Sequence, residues 1–359
     1  MVNLESFFRI SLFEDMTRGE PGGLDHALNM LIKGALEFKA LELFSLTFGM
    51  GVAVQAERAW QRGRNAELFL LRRFSILLAI GLAQLVLVSN VDILTLYALC
   101  GFVLIFFLRL PAAVLALMGV ALIYLPPVLP LGPMFPSAAV IRAHAEEATR
   151  VYSHGGFFTL VAYRWTETKD LIAPILEGVA QLLFGLMVTG MALWRSGIVR
   201  NPRRARPWLW CFAVLAGTVG AVNTGLELFS LHSPWQLRAV GSNVPLALAY
   251  GAAIVAWRRS DNASRLVAPI AAAGQMALTN YLTQTVVLAL VFYGYGFGLM
   301  GRLSISEAAL FGIAFYAAQL WFSAWWLARY RFGPFEWLWR SATYGRSQPF
   351  LLALAQAKN

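Results

Sequence analysis

Nine long apolar stretches dominate this chain and decide what it can fold into. They lie at residues 40–56, 68–89, 91–108, 111–131, 170–194, 208–228, 243–257, 266–291 and 305–328. Most of them approach or exceed the roughly 20 apolar residues that a helix needs to cross the hydrocarbon layer of a bilayer. A helix also satisfies its own backbone hydrogen bonds, as lipid requires. The sequence therefore predicts an all-α, polytopic transmembrane helical bundle of about nine spans.

The composition excludes the main soluble classes. Only 13% of the residues are charged and 58% are hydrophobic, against roughly 25% and 45–50% in an average soluble domain. A soluble enzyme, a disordered chain and a disulfide-rich secreted domain are all ruled out. Cys100 and Cys211 lie inside apolar stretches, and no group of histidines and carboxylates has metal-ligand spacing. No metal is expected.

The positive charges predict how the chain is oriented. The net charge is +10, and most lysines and arginines fall in alternate connections, including the arginine-rich segments around residues 58–73 and 195–206. The positive-inside rule places those connections in the cytoplasm, so nucleic acid is not needed to explain the charge. The interpretation is a bacterial cytoplasmic (inner) membrane protein whose C-terminus is cytoplasmic and whose N-terminus, as the chain stands, is outside.

This topology divides one membrane domain, residues 1–359, into five parts. They are an outer N-terminal segment (1–39), four spans (40–131), an outer loop (132–169), five spans (170–328) and a cytoplasmic tail (329–359). An outside N-terminus without a signal peptide suggests that a preceding helix is missing. In the outer loop, IRAHAEEATRVY has helical spacing and predicts an amphipathic helix, followed by a flexible SHGGFF segment. The loop is a functional segment or a packing lid.

Charged residues inside the spans are candidates for function because their burial is costly. Asp92 either caps a helix N-terminus or belongs to a site. Glu42 follows Lys39 at helical spacing, which favours an ion pair over catalysis but leaves a substrate-binding role open. The four histidines all fall on the outer side, where a histidine could act as a base; solvated loop histidines are the alternative.

Several stretches resemble the YeiB-like proteins, the domain of unknown function 418. They are LFSLTFGMGVAVQAERA (43–59), LLRRFSILLAIGLAQLVLVSNVDILTLYALCG (70–101), VYSHGGFFTLVAYR (151–164), GQMALTNYLTQTVVLALVFYGYGFGL (274–299) and RFGPFEWLWR (331–340). The chain is identified as a member of that family, which is grouped with integral-membrane acyltransferases. The resemblance implies transfer of an acyl group from acyl-CoA, with acetyl-CoA the expected co-substrate, to a hydroxyl or amine acceptor at or across the membrane.

Within that interpretation the candidate residues take distinct roles. The diphosphate and ribose phosphate of coenzyme A call for arginines, and Arg58, Arg72, Arg73 and Arg340 are the candidates, with simple membrane anchoring as the alternative. His154, Asp92 and His26 would serve the chemistry. Asn280, Tyr281 and Gln284, with Glu42, would line the substrate path, although the amides equally suit helix–helix hydrogen bonds.

The chain departs from the family pattern at two points. It lacks the usual first helix, and Gln84 stands where relatives carry a histidine. The alternatives to an enzyme are therefore a small-molecule transporter or exporter, or a catalytically degenerate homologue. The expected partners are the lipid bilayer and a small-molecule or glycan acceptor, with no nucleic acid; a homodimer is left open.

Overall fold

The computed structural model describes residues 22–89, 92–125, 138–168, 173–200, 202–229, 239–257 and 261–352, together with Leu4, Phe7 and Phe8. Every regular element in these ranges is a helix, which confirms the predicted all-α class. The α-helices are α1 (Gly23–Ala35), α2 (Lys39–Gln61), α3 (Ala66–Leu87), α4 (Ile93–Leu104), α5 (Ala112–Tyr124), α6 (Ala138–His154), α7 (Phe157–Glu167), α8 (Ala173–Arg195), α9 (Pro202–Phe229), α10 (Val244–Trp257), α11 (Asp261–Gln275), α12 (Ala277–Phe292), α13 (Ile305–Leu327) and α14 (Pro334–Tyr344).

The apolar helices make this a polytopic membrane protein. In the described part of the chain, four helices are long and apolar enough to cross a bilayer: α3, Ala205–Glu227 of α9, Val240–Trp257 and α13. The pair α11 and α12 adds a fifth if it counts as one span, and three shorter apolar helices, Ile93–Phe107, Ala112–Tyr124 and Val179–Arg195, accompany them. The count of nine spans stays a prediction.

The predicted span at 266–291 is two helices rather than one. The chain bends by 81° at the break between α11 and α12, where Met276 separates them. Polar side chains replace the hydrogen bonds that the break removes. Asn280 donates from Nδ2 to the carbonyl of Ala273 at 3.1 Å, and the carboxylate of Glu336 accepts from the backbone N–H of Thr279 at 2.9 Å. The expectation of a continuous span was wrong because it considered apolarity alone.

The segment predicted as an outer loop is largely helical. Helix α6 contains the predicted amphipathic segment. The segment after it is not an extended flexible stretch, because α7 begins at Phe157, directly after Gly155 and Gly156. Both helices contribute to an apolar cluster with Phe7, Tyr293 and Met300. The expectation of a flexible segment was wrong because the glycines end one helix and the next begins at once.

Close contact between α2 and α8 organises the largest core. A Cβ on Gly49 would lie 1.8 Å from the carbonyl oxygen of Met187, and one on Gly190 would lie 2.0 Å from that of Leu46. Only glycine allows this approach, and small residues at such contacts are typical of membrane bundles. Helix α3 packs on α4, and α14 packs on both α3 and α12. The segment predicted as a cytoplasmic tail is thereby joined to the bundle.

Candidate functional site

Four arginines gather at the end of the bundle where α3 begins and α14 lies. Arg340 interacts electrostatically with Arg73, Arg331 and Arg58, and we call these four residues the arginine cluster. Burial, reinforced by the charges of Arg331 and Arg58, lowers the pKa of the Arg340 guanidinium. In the described residues, arginine–carboxylate ion pairs form elsewhere, Arg109 with Glu67 and Arg200 with Glu57. Within the described ranges no carboxylate forms such a contact with the arginine cluster, although the charge of Glu336 acts on Arg340.

Aromatic side chains contact three of the four arginines, Arg73, Arg331 and Arg340. The guanidinium carbon of Arg73 lies 3.5 Å from the ring centroid of Trp339. The indole N–H of Trp339 donates to the backbone carbonyl of Arg73 at 3.0 Å. Arg331 and Arg340 both lie over the ring of Phe332, at 5.3 and 4.5 Å. Cation–π contacts of this kind orient a guanidinium while leaving its N–H groups for an anion. The predicted anion-binding residues Arg58, Arg73 and Arg340 thus come together.

Arg72 does not join them. It is exposed on α3, and no contact links it to the arginine cluster in the described part of the chain. The adjacent Arg73 is partly buried instead. Neighbouring helical residues do not face the same direction, since only residues three or four apart share a face. The packing of α3 therefore sets Arg72 apart from Arg73, and the role of both as cofactor ligands stays a prediction.

Glu336 connects this end of the bundle to the helix break. Besides accepting from the Thr279 N–H, its carboxylate accepts from the Thr279 hydroxyl at 2.5 Å. The side chain is only 8% exposed. Thr279 lies in the first turn of α12, so a carboxylate there is favoured by the unpaired N–H groups and the positive end of the helix dipole. A Cβ on Gly333 would lie 2.1 Å from Glu336 Oε2, which explains why a glycine directly precedes α14.

A buried polar network lies two residues further along α12. The Tyr281 hydroxyl accepts from Nε2 of Gln84 at 2.8 Å and from the backbone N–H of Ile93 at 3.4 Å. It donates to Oδ1 of Asp92 at 3.5 Å. The backbone and side chain of Thr95 and the Asp92 carboxylate would all lie within 3 Å of a Cβ on Gly81. Side chains from α3, α12 and the start of α4 thus meet at one point.

Asp92 caps a helix, as one of the two interpretations predicts, and its role in a functional site stays a prediction. Its carboxylate caps α4 by accepting from the backbone N–H groups of Leu94 at 3.1 Å and Thr95 at 2.7 Å. It also contacts Tyr281 and is 2% exposed. Gln84, where the resemblance predicts a histidine in relatives, belongs to the same network, and one of its amide atoms, Oε1, has no hydrogen-bond partner among the described residues. The predicted departure from the family pattern therefore lies within this network.

The two candidate histidines lie elsewhere. His154 ends α6 and is exposed. Its Nδ1 lies 2.7 Å from the Ser153 hydroxyl and 3.3 Å from the Arg150 carbonyl oxygen. His26 is half-buried on α1. No contact in the described ranges joins either histidine to Asp92, so the structure does not assemble the three predicted catalytic residues into one site.

Of the remaining candidates, Asn280 has a packing role, and the role of Gln284 stays open. Asn280 connects α12 to α13. Its side-chain Nδ2 donates to the Ser323 hydroxyl at 3.0 Å, and its backbone carbonyl accepts from Nε2 of Gln319 at 2.9 Å. This is the helix–helix role that the sequence offered as an alternative. Gln284 is half-buried one turn further along α12; its substrate-binding role stays a prediction.

Glu42 is a buried carboxyl without a hydrogen-bond partner among the described residues, although the charge of Lys39 acts on it. It is 2% exposed, and neither carboxylate oxygen has a hydrogen-bond partner. The ammonium group of Lys39 donates to the carbonyl of Lys33 at 2.6 Å instead. The ion pair that the spacing predicts is therefore not formed. Glu42 stays a candidate for substrate binding.

Three functional candidates were missed or undervalued by sequence reasoning. Glu336 and Trp339 lie in the quoted C-terminal stretch, and their spacing on one helical segment beside Arg340 was the available signal. Arg164 is 1% exposed and lies at the other end of α3. Its only signal was its place at the end of the VYSHGGFFTLVAYR stretch.

Comparison with known proteins agrees with the motif resemblance. A family model described as protein of unknown function (DUF418) matches residues 193–346. The uncharacterized protein YxaH of Bacillus subtilis (strain 168) is 30% identical over 343 residues, covering 90% of this chain and 84% of that protein.

Two further relatives match over a similar share of this chain and of their own lengths. The uncharacterized 39.9 kDa protein in the amylase 3′ region of Bacillus acidopullulyticus is 28% identical, over 88% of this chain and 83% of its own length. The uncharacterized protein YeiB of Escherichia coli (strain K12) is 28% identical, over 87% and 83%. No solved structure matches significantly. The chain belongs to the DUF418 family of YeiB-like membrane proteins.

Proposed function

We propose that this protein is a membrane acyltransferase that takes its acyl group from acyl-CoA, acetyl-CoA being the first donor to test, and passes it to a hydroxyl or amine acceptor. The arginine cluster carries the proposal. It gathers four positive charges at one end of the bundle, and the described carboxylate whose charge acts on it, Glu336, is already hydrogen-bonded to Thr279. The diphosphate and ribose phosphate of coenzyme A match such arginines, since guanidinium groups bind phosphate oxygens in pairs. In this proposal the cluster faces the bacterial cytoplasm.

The transfer itself would take place at the network of Gln84, Asp92 and Tyr281. The acceptor oxygen or nitrogen attacks the thioester carbonyl carbon, and the carbon–sulfur bond breaks. The acceptor's proton passes to the Asp92 carboxylate and then to the coenzyme A thiolate. The developing oxyanion would be stabilised by the second N–H of the Gln84 amide and by the Tyr281 hydroxyl, which would turn its proton from Asp92 toward the oxyanion.

A series of contacts connects the arginine cluster to the network of Gln84, Asp92 and Tyr281, which supports their taking part in one reaction. Trp339 lies on Arg73, and Glu336, on the same short helix, bonds to Thr279. Tyr281 follows Thr279 by two residues and reaches Gln84. A donor held at the arginine cluster would therefore have its reactive end directed along α12 toward the network.

The first experiment is an unfolding-temperature titration of the full-length, detergent-purified chain with acetyl-CoA, using free coenzyme A and ATP as controls. A ligand at one hundred times its Kd stabilises by about 2.7 kcal/mol. We expect a saturable shift that is lost in the Arg73→Ala, Arg340→Ala double variant. Arg109→Ala is the matched control, because that arginine is exposed and paired with Glu67. The proposal is overturned if acetyl-CoA neither shifts unfolding nor is consumed.

One observation favours transport as the second candidate function. The α11–α12 break resembles the discontinuous helices that transporters use to expose helix ends at a binding site. Transport predicts that reconstituted vesicles move a solute without consuming acyl-CoA. A degenerate homologue predicts that neither activity appears until Gln84→His restores the histidine that the family pattern carries at this place.

A further inference from the structure

A second buried cation lies at the end of α3 that is remote from the arginine cluster. Arg164, on α7, is 1% exposed. Its Nη1 donates to the backbone carbonyl of Leu87, the last residue of α3, at 3.0 Å. Arg73 lies near the start of the same helix, so Arg73 and Arg164 lie at different ends of the bundle.

One edge of the Arg164 guanidinium makes no well-formed hydrogen bond to the described residues. Its Nε and Nη2 are both buried without an acceptor in hydrogen-bond geometry, and the one further polar neighbour identified there is the Tyr295 hydroxyl, which is uncharged. These two nitrogens point their N–H groups in parallel from the same side of the planar group. That fork matches two oxygens of one carboxylate or phosphate, which is the strongest pairing that arginine makes. A buried charge is normally paired, so an open fork indicates a missing anion.

Among the described residues, none around Arg164 supplies that anion. The guanidinium carbon lies 5.1 Å from the ring centroid of Tyr293 and 5.7 Å from that of Tyr152. The nearby carboxylate, Glu167, is engaged by other groups. One of its oxygens accepts from the Tyr152 hydroxyl at 2.6 Å, and the other pairs with Nε2 of His144 at 2.8 Å.

We propose that Arg164 binds an external ligand through a group with two coplanar anionic oxygens, a carboxylate or a phosphate. The tyrosine rings form the walls of this site, and the Nε/Nη2 edge forms its base. Leu87 follows Gln84 by one helical turn. A ligand bound at Arg164 therefore begins close to the network of Gln84, Asp92 and Tyr281.

The role of this site deepens the proposed function, on which it rests: the acceptor of the acyl group carries an acidic group, and Arg164 holds it. The existence of the site does not depend on acyl transfer. An anion that binds at Arg164 would do so equally in a protein that transports it.

The test measures anion binding by the full-length protein in detergent. The probes are sodium acetate, inorganic phosphate and glycerol 1-phosphate, with chloride at matched ionic strength as the baseline. Arg164→Lys retains the charge but removes the fork, and Arg150→Lys changes an exposed arginine on the neighbouring helix α6. We expect a saturable rise in unfolding temperature for wild type and Arg150→Lys, with at least tenfold weaker apparent affinity in Arg164→Lys.

The pattern of responses identifies the ligand chemistry. A response to acetate alone indicates a carboxylate, whereas responses to both phosphates indicate a phosphate-bearing ligand such as a lipid headgroup. No shift beyond that of chloride, or equal affinities in wild type and Arg164→Lys, overturns the proposal. If Arg164→Lys does not fold, wild-type protein is modified with phenylglyoxal instead, and the same anions must slow modification of Arg164 as measured by mass spectrometry.

This experiment separates the two proposals because it contains no acyl-CoA. Loss of the acetyl-CoA response at the arginine cluster leaves the Arg164 result unaffected. Conversely, normal acyl-CoA consumption with no anion binding refutes only the site at Arg164.

Discussion

Removing the charge of Glu336 should destabilise the bundle far more than removing a similar charge at another helix start. The perturbation is Glu336→Gln, which keeps the size and shape of the side chain. In wild type the carboxylate accepts two hydrogen bonds from Thr279, from the N–H at 2.9 Å and the hydroxyl at 2.5 Å. The amide retains one acceptor oxygen but places an NH₂ group opposite one of these donors.

The expected magnitude follows from those contacts. A hydrogen bond to a charged group contributes about 1.5–3 kcal/mol, and a charge at a helix N-terminus contributes about 0.3–1 kcal/mol, or more when buried. Because Glu336 is only 8% exposed, water does not replace what is lost. Glu336→Gln should therefore cost about 2–4 kcal/mol. Even 2 kcal/mol lowers the ratio of folded to unfolded protein about 30-fold.

The assay is equilibrium unfolding of the detergent-solubilised protein during titration with a denaturing detergent. The matched control is Glu307→Gln. Glu307 also accepts at a helix start, in the capping box of Ser304 on α13, but it is exposed. Glutamine functions in a capping box as well, so this control should unfold like wild type. Equal unfolding of Glu336→Gln and the control would refute the argument that Glu336 holds α14 to the helix break.

Other substitutions test the packing and the polar network. Gly190→Ala should lower the free energy of unfolding by about 3 kcal/mol in the same assay, because its Cβ would lie 2.0 Å from the Leu46 carbonyl oxygen of α2. In Gly225→Ala the new Cβ meets no neighbour, so the free energy of unfolding should rise by about 0.5–1 kcal/mol. Asp92→Asn keeps only one of the two acceptor oxygens of the helix cap, so it should abolish acyl-CoA turnover and also lose some stability. Asp92→Ala removes both acceptors, so it should lose turnover and about 0.5–2 kcal/mol. Tyr281→Phe leaves the Gln84 amide without its hydroxyl partner and should cost about 1–3 kcal/mol, measured as a shift in the unfolding midpoint.

Apolarity predicted the helices well but could not predict where one of them breaks. Helices α3, α10 and α13 fall close to the predicted limits, since long apolar runs in lipid must be helical. The break at Met276 depends on acceptors and donors that arrive from distant parts of the chain. Glu336 lies 57 positions from Thr279, and a pattern confined to residues 266–291 contains no sign of it.

The sequence predicted which types of residue form the candidate site but not which of them lie together in the fold. Arginines suited to phosphate could be named, yet the choice of Arg73 over Arg72 is made by the face of α3 that α14 covers. Asp92 could be recognised as a cap from its place before α4. Its contact with Tyr281 could not, because the two residues are 189 positions apart. The unpaired edge of Arg164 is a property of packing alone.

The helix break explains how one turn of α12 serves both the arginine cluster and the buried network. In a continuous helix the N–H of Thr279 would bond to a carbonyl four residues earlier, and Glu336 would have no donor there. Because the helix restarts at Ala277, that N–H is available to Glu336, and Tyr281 extends to Gln84 from the same turn. Straightening the break would remove both contacts together. A change at Glu336 should therefore be felt at Tyr281, whereas Arg164 contacts α12 only beyond its far end, at Tyr293, and should be affected less.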